Sequence, residues 1–252
     1  PPAPNQRLTK GENKTKVQKV SRPPTNTARD PEAVAKLLHD LGPRLHRGAR
    51  PEPSPSPLAS GVPALDRLLG GGFPGGRLSE VAGPLSSGRT SLALALLART
   101  TRAGELTAVV DTADAFDPAS ADAAGADLAR ILWVRAPRLR EALRCTERLL
   151  DARGFALVLL DLSVAGLRIA PAAGPRLARR AAGTGTALVA LSLARCFGTA
   201  AEIALELTPI RASIDGVPAL LEELEIEVAL VRHRTAPGSR TTSLRLRSIQ
   251  AA

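Results

Sequence analysis

Apolar and polar positions fall into two kinds of stretch along the chain. LTAVVD over Leu106–Asp111, ALVLLD over Ala156–Asp161 and ALVALSL over Ala187–Leu193 are apolar at nearly every consecutive position. Such runs mark strands covered on both faces. A further strand is expected over Ile131–Val134, and helices over Pro63–Leu69, from Asp117-Pro118 onward, over Arg138–Ala152 and over Pro175–Ala182. Buried strands separated by helices predict an α/β protein with a parallel sheet sandwiched between helical layers. The pattern then changes: Ala204–Leu207, Glu225–Arg232 and Thr241–Arg247 alternate apolar with polar, as antiparallel edge strands do.

The first 57 residues read differently from the rest. Residues 1–30 are rich in Pro, Asn, Thr and Lys and bury too little apolar surface to offset the entropy of ordering, so disorder is expected. Asp30-Pro31 then supplies an N-cap and first helical position, and Val34, Leu37, Leu38 and Leu41 share one stripe of an amphipathic helix over about 31–42. Gly42-Pro43 ends it, and PEPSPSP over Pro51–Pro57 is a stiff, extended linker. Residues 58–252 form the expected globular core. The helix has two candidate docking places, its own core or a neighbouring molecule.

Charge sharpens this division. Of the net +10, residues 1–50 hold +7, with 11 Lys or Arg against 4 Asp or Glu, and all the lysines lie there. A basic arm of this kind either adds DNA affinity through its charge or is a solvated linker. No stretch approaches the apolar length of a membrane helix, and no secretory signal is recognisable, so a cytoplasmic location is the expectation. Cys145 and Cys196 form no disulfide framework, and the three histidines are too scattered for a metal site.

The candidate chemistry lies between Gly75 and Ala98. Leu78–Ala82 is a short strand, GPLSSGRT over Gly83–Thr90 a glycine-rich loop, and Ser91–Ala98 a strong helix former. This is the layout of a P-loop, where backbone N–H groups and a helix N-terminus converge on phosphate. The candidate nucleotide-binding residues are Gly83, Pro84, Ser86, Ser87, Gly88, Arg89, Thr90 and Ser91. Thr90 and Asp161 would hold Mg²⁺ if a nucleotide binds. One position departs from G-x-x-x-x-G-K-[ST]: Arg89 replaces the lysine. A planar guanidinium fork does not reproduce a compact ammonium.

LDRLLGGGFPGGRLSEVAGPLSSGRTSLALALLA resembles the start of the ATPase core of RecA-type recombinases. AVVDTADAFDP is similar to their strand and turn after the P-loop helix, ALVLLDLS to their metal-supporting strand, and VALVRHRTAPG to their late hairpin. The likeness runs from about Leu58 to Arg247 and looks most like the shortened branch typified by ImuA, an accessory factor of error-prone polymerases after DNA damage. It implies a RecA-like three-layer fold with a mostly parallel sheet and antiparallel edge strands near the C-terminus. It also implies ATP and Mg²⁺ as cofactors, weakly bound or absent here.

Departures from the family pattern are concentrated in the site. Ala113 stands where the family's water-activating glutamate belongs, with Asp114 one residue out of register, and Leu193 stands where a phosphate-sensing glutamine belongs. No catalytic residue is therefore assigned. The loops between Asp161 and Pro175 and between Leu193 and Ala204 are short where the family carries DNA-binding loops. Arg232 and Arg234 match the positions of two lysines that reach the next protomer's nucleotide, and serve either as such trans contacts or as ordinary edge-strand arginines.

Other features admit plainer readings. Trp133 reads as packing, Asp114, Asp117 and Asp122 as caps and a solvated turn, and Arg176, Arg179 and Arg180 as a basic helix face, either solvated or phosphate-contacting. Ile214–Glu227 is acidic and leucine-rich, a turn and strand or a partner surface. The expected function is a RecA-like accessory protein of DNA repair and damage-induced translesion synthesis that has lost ATP turnover. It would bind a RecA-type recombinase, an error-prone polymerase complex or DNA, with a homo-oligomer also implied by the resemblance. A DNA-dependent ATPase in which Arg89 replaces the lysine is the alternative, and a signalling P-loop ATPase a third.

Overall fold

The computed structural model describes residues 56–215, 220–235 and 238–247. The basic tail, the helix expected over 31–42 and most of the proline-rich linker lie outside them. Along the chain come α1 (Pro63–Leu69), β1 (Leu78–Ala82), α2 (Arg89–Arg102), β2 (Leu106–Asp111), α3 (Pro118–Ala123), β3 (Ile131–Arg135) and α4 (Leu139–Ala152). They are followed by β4 (Phe155–Leu162), α5 (Ala173–Thr184), β5 (Ala187–Ser192), β6 (Ile203–Asp215), β7 (Leu220–His233) and β8 (Arg240–Arg247). The strands form one sheet in the order β3-β2-β4-β5-β1-β6-β7-β8.

The apolar runs explain the layers. Along β4, Leu157 and Leu159 enter a core shared with α1 and α2, whereas Val158, Leu160 and Leu162 enter a second core shared with α4 and α5. Strand β5 divides in the same way, Ala187, Val189 and Leu191 facing one side and Leu188 and Ala190 the other. Successive side chains of a strand point to opposite faces, so a run apolar at every position needs a helical layer on each side. That is the three-layer arrangement expected from the sequence.

Strand β6 joins the two halves of the sheet. Ile203–Glu206 runs parallel to Ser79–Ala82 of β1, and the same strand pairs antiparallel with β7 from Ile203↔His233 to Asp215↔Leu220. It is therefore an interior strand at its start and extends well past Leu207, where the alternation had suggested an end. Its continuation and β7 form a long arm beyond the end of β1. Ile210, Ile214 and Leu221 on that arm are exposed, which is why no core pattern revealed its length. Strand β8 pairs antiparallel with β7 and forms the sheet edge.

Local signals set the helix ends. Pro63 starts α1, and Gly70 ends it in the left-handed region at φ 76°. Asp117 caps α3 by accepting hydrogen bonds from the Ala119 and Ser120 amides. Helix α4 buries Ala142, Leu143, Thr146 and Leu150, and turns its arginines outward.

Candidate functional site

The P-loop follows β1 and opens directly into α2. Ser86 at φ 59° and Gly88 at φ 83° place the loop backbone in the left-handed region, which curls successive amides into an anion nest. Gly83 and Gly88 are held by what surrounds them. A Cβ on Gly83 would lie 2.6 Å from the Leu207 carbonyl oxygen of β6, and one on Gly88 2.6 Å from the Leu246 side chain of β8. The late strands thus brace the loop from outside.

The tips of β2 and β4 form the opposite wall. Thr112 donates its amide and hydroxyl to the Asp161 carbonyl oxygen. The buried Asp111 carboxylate accepts from the Ala113 and Phe116 amides and so fixes the turn between β2 and α3. The Asp161 carboxylate accepts from the Ser163 amide at 2.9 Å. Burial raises its pKa above the ordinary aspartate value, and the neighbouring Asp111 charge adds to the rise, while Ser163 and Arg89 oppose it.

Arg89 crosses between the walls. Its guanidinium Nη1 donates to Ser163 Oγ at 2.7 Å, and the side chain is 6% exposed. Burial lowers its pKa, partly offset by the Asp161 charge. Its Nε and the Ser87 hydroxyl are buried without a protein partner. A cavity of about 490 Å³ over the loop is lined by Pro84–Ser91 together with Ala113, Asp161 and Ser163. Leu221 and Leu224 of the arm also line a neighbouring cleft of about 720 Å³ that reaches Asp117 and Ser120.

Seven of the eight candidate loop residues, Pro84 and Ser86–Ser91, thus meet Ala113 and Asp161 at one cavity, while Gly83 is outside its lining. Leu193 is half-buried just past β5 and does not line it. The RecA N-terminal domain family model matches residues 43–198. The chain belongs to that family. Relatives include Protein RecA of Rubrobacter xylanophilus, 38% identical over 124 residues, covering 49% of this chain and 36% of that one. Protein RecA of Streptococcus pyogenes is 37% identical over 139 residues, covering 54% and 36%. The chain spans about a third of the length of these curated relatives. In fold it is similar to the RadB recombinase crystal structure, with a TM-score of 0.61 and 22% identity over 76% of this chain and 97% of that one.

Several residues singled out in the sequence have specific neighbours. Asp114, at φ 53°, pairs with Arg135 at 2.9 Å rather than lining the cavity. Trp133 packs edge-on against Phe116 at 5.3 Å, and Arg135 lies over its ring at 4.0 Å. Arg176 pairs with Glu147, and Arg180 with Glu147 and Asp151, so two arginines of that helix face are tied to α4. Arg232 donates to the Ala201 carbonyl, and the Arg234 amide to that of Glu202. Among the described residues no group of His, Cys, Asp and Glu could hold a metal ion, and no helix is long and apolar enough to cross a membrane.

The sequence reading passed over Glu80. This β1 carboxylate is 1% exposed and accepts from the Cys196 and Phe197 amides at 2.6 and 3.2 Å, pinning the loop after β5 to the strand that feeds the P-loop. Burial, with Glu80 beside it, pushes the Cys196 thiol up to about 12. A lone charged residue in a short strand, LSEVA, was the available signal.

Proposed function

We propose that the protein is a RecA-family accessory factor of DNA repair that works by binding and does not turn over ATP. The observation that carries this reading is the Arg89–Ser163 contact at 2.7 Å. It sets a cation against the tip of β4, beside the carboxylate expected to support magnesium. The loop amides fit a phosphate group, and the buried, unpartnered Ser87 hydroxyl and Arg89 Nε face the same need. A divalent ion fits less well, because Thr90 and Asp161 would have to hold it against the charge of a resident guanidinium. Thr90, Asp161 and Arg89 therefore belong to a phosphate site with weak or no metal binding.

Ala113 supports the loss of turnover. It lines the cavity as a methyl group, and Asp114 is engaged by Arg135. Without a base to orient water, a rate loss of about 10²–10⁴ is expected. The basic sequence of residues 1–50, the amphipathic helix expected over about 31–42 and the core expected from residue 58 suit a protein that docks on others. A RecA-type recombinase or an error-prone polymerase complex in damage-induced translesion synthesis is the proposed partner, in the cytoplasm. Arg232 and Arg234 are proposed to contact a neighbouring protomer if the protein self-associates.

The decisive experiment measures ATP binding and hydrolysis by wild type and Arg89→Ala, with and without single-stranded DNA. Turnover no higher than in the variant is the expected result. DNA-stimulated hydrolysis that Arg89→Ala abolishes would overturn the reading in favour of a DNA-dependent ATPase.

A further inference from the structure

The cavity over the P-loop has two unlike halves. One is the loop itself, where the amides of the nest converge and the Ser87 hydroxyl and Arg89 Nε are buried without a protein partner. The other is apolar, lined by Leu85, Ala113, Ala115, Ala212, Leu221 and Leu224. Leu85, at the tip of the loop, is 72% exposed, and Leu221, on the arm, 43%. Exposed leucines gathered at one cavity mark a surface that a ligand covers.

Charge decides which anion fits. Arg89 is faced by Asp161, with Asp111 beside it, so the side chains of the site carry no surplus of positive charge. A triphosphate brings several negative charges, which a lysine and magnesium offset in P-loop enzymes. An anion of single charge needs only the loop amides and the unpartnered Arg89 Nε.

The adjoining cleft of about 720 Å³ shares Ser91, Leu221 and Leu224 with the cavity and adds Pro63, Leu94 and Leu246. It suits a short apolar stretch of chain better than a nucleobase. Among the described residues no aromatic ring lines either space, so a base has nothing to stack on. Asp117 in the cleft already accepts from the Ala119 and Ser120 amides and the Ser120 hydroxyl.

We propose that this site receives the C-terminal carboxylate of a partner polypeptide that ends in apolar residues, held where the phosphates of a nucleotide would lie. The nest and Arg89 Nε take the carboxylate, and Leu85, Leu221 and Leu224 cover the last side chains. A chain end brings its charge to the bottom of a concave loop without having to leave again on the other side. The inference deepens the reading of this site as one that binds without turning ATP over, and rests on it.

The test uses the full-length chain and peptides randomised at their last few positions, each presented with a free and with an amidated C-terminus. Wild type should select apolar endings, and the best free peptide should bind about tenfold or more tightly than its amide, which lacks the charge for strong hydrogen bonds. Arg89→Ala should weaken that peptide about fivefold or more, and Leu221→Ser about threefold or more. Leu132→Ser removes a leucine that is 47% exposed and outside both spaces; it should bind as wild type does. A thermal melt of each variant confirms folding.

Equal binding of free and amidated peptides would overturn the proposal, as would selection of acidic side chains whatever the terminus, or no selection at all. Equal losses in Leu132→Ser and Leu221→Ser would reduce the effect to general apolar adhesion and overturn it too. Displacement of the labelled peptide by ATP with magnesium at a lower concentration than by unlabelled peptide would return the site to a nucleotide. ATP hydrolysis assayed on the same preparation separates the two failures. Turnover by wild type removes the binding-only reading, whereas no turnover together with equal binding of the two peptide forms removes this inference alone.

Discussion

Arg89 and Ser163, 74 positions apart, meet at 2.7 Å where the P-loop faces the end of β4. Replacing the arginine by lysine frees that flank of Asp161 while retaining a cation for phosphate. Arg89→Lys should therefore bind a fluorescent ATP analogue more tightly and with more magnesium dependence than wild type. It should still release phosphate only very slowly, since Ala113 supplies no base. Adding Ala113→Glu should raise turnover by about 10²-fold or more over the single variant. Phosphate release by Arg89→Lys alone at the double variant's rate would show that the base lies elsewhere.

Asp161 predicts a pH effect of definite sign. Its folded-state pKa lies above the unfolded value of 3.8. Between those two values the native state holds the proton more often than the unfolded chain does. Stability is then lost as pH rises through the window, and the cost persists at neutral pH. Asp161→Asn keeps an oxygen for the Ser163 amide and removes the charge. Urea unfolding from pH 4 to pH 7 should show the variant gaining on wild type as pH rises. A constant difference across that range would show that burial does not penalise this carboxylate.

The sequence made the buried scaffold legible for a simple reason. A run such as Phe155–Leu162 is apolar on both faces because two helical layers cover it, so neighbours in sequence report neighbours in space. The glycine spelling of the P-loop and the cap at Asp117 are equally local. What escaped depends on distant partners. Arg89 reads as a lysine substitute until Ser163 is beside it, and Arg176 and Arg180 read as a free basic face until Glu147 and Asp151 arrive from α4. The arm past Leu207 was hidden because its outer half has little core to encode.

Gly83 tests how tightly the late strands hold the loop. Its Cβ would meet a backbone oxygen, Leu207 O, at 2.6 Å, together with Ser87 Oγ at the same distance. A rotamer change relieves the second clash only. Gly83→Ala should destabilise the protein by about 1–3 kcal/mol and weaken nucleotide or phosphate binding by displacing the loop. Gly104, with open space around it, is the comparison site for a glycine whose substitution meets no neighbour, and chemical denaturation of both variants separates clash from conformational strain.

Glu80 links the P-loop strand to the loop after β5, and its removal has a calculable effect. Glu80→Ala leaves the Cys196 and Phe197 amides without their acceptor in a buried setting, at a cost of about 1–3 kcal/mol for each unsatisfied group before water enters. Glu80→Gln retains an acceptor oxygen, and its new N–H₂ replaces an Oε2 that is buried without a partner, so part of the loss should remain. Urea unfolding should order the three proteins as wild type, glutamine, alanine. The Cys196 thiol gives an independent readout, because with its pKa pushed up to about 12 it stays protonated and slow towards maleimide at pH 8. In Glu80→Ala the loop should open and Cys196 should label faster at the same pH, while Cys145 keeps its wild-type rate. Unchanged labelling together with unchanged stability would mean that the two amide hydrogen bonds do not hold the loop in place.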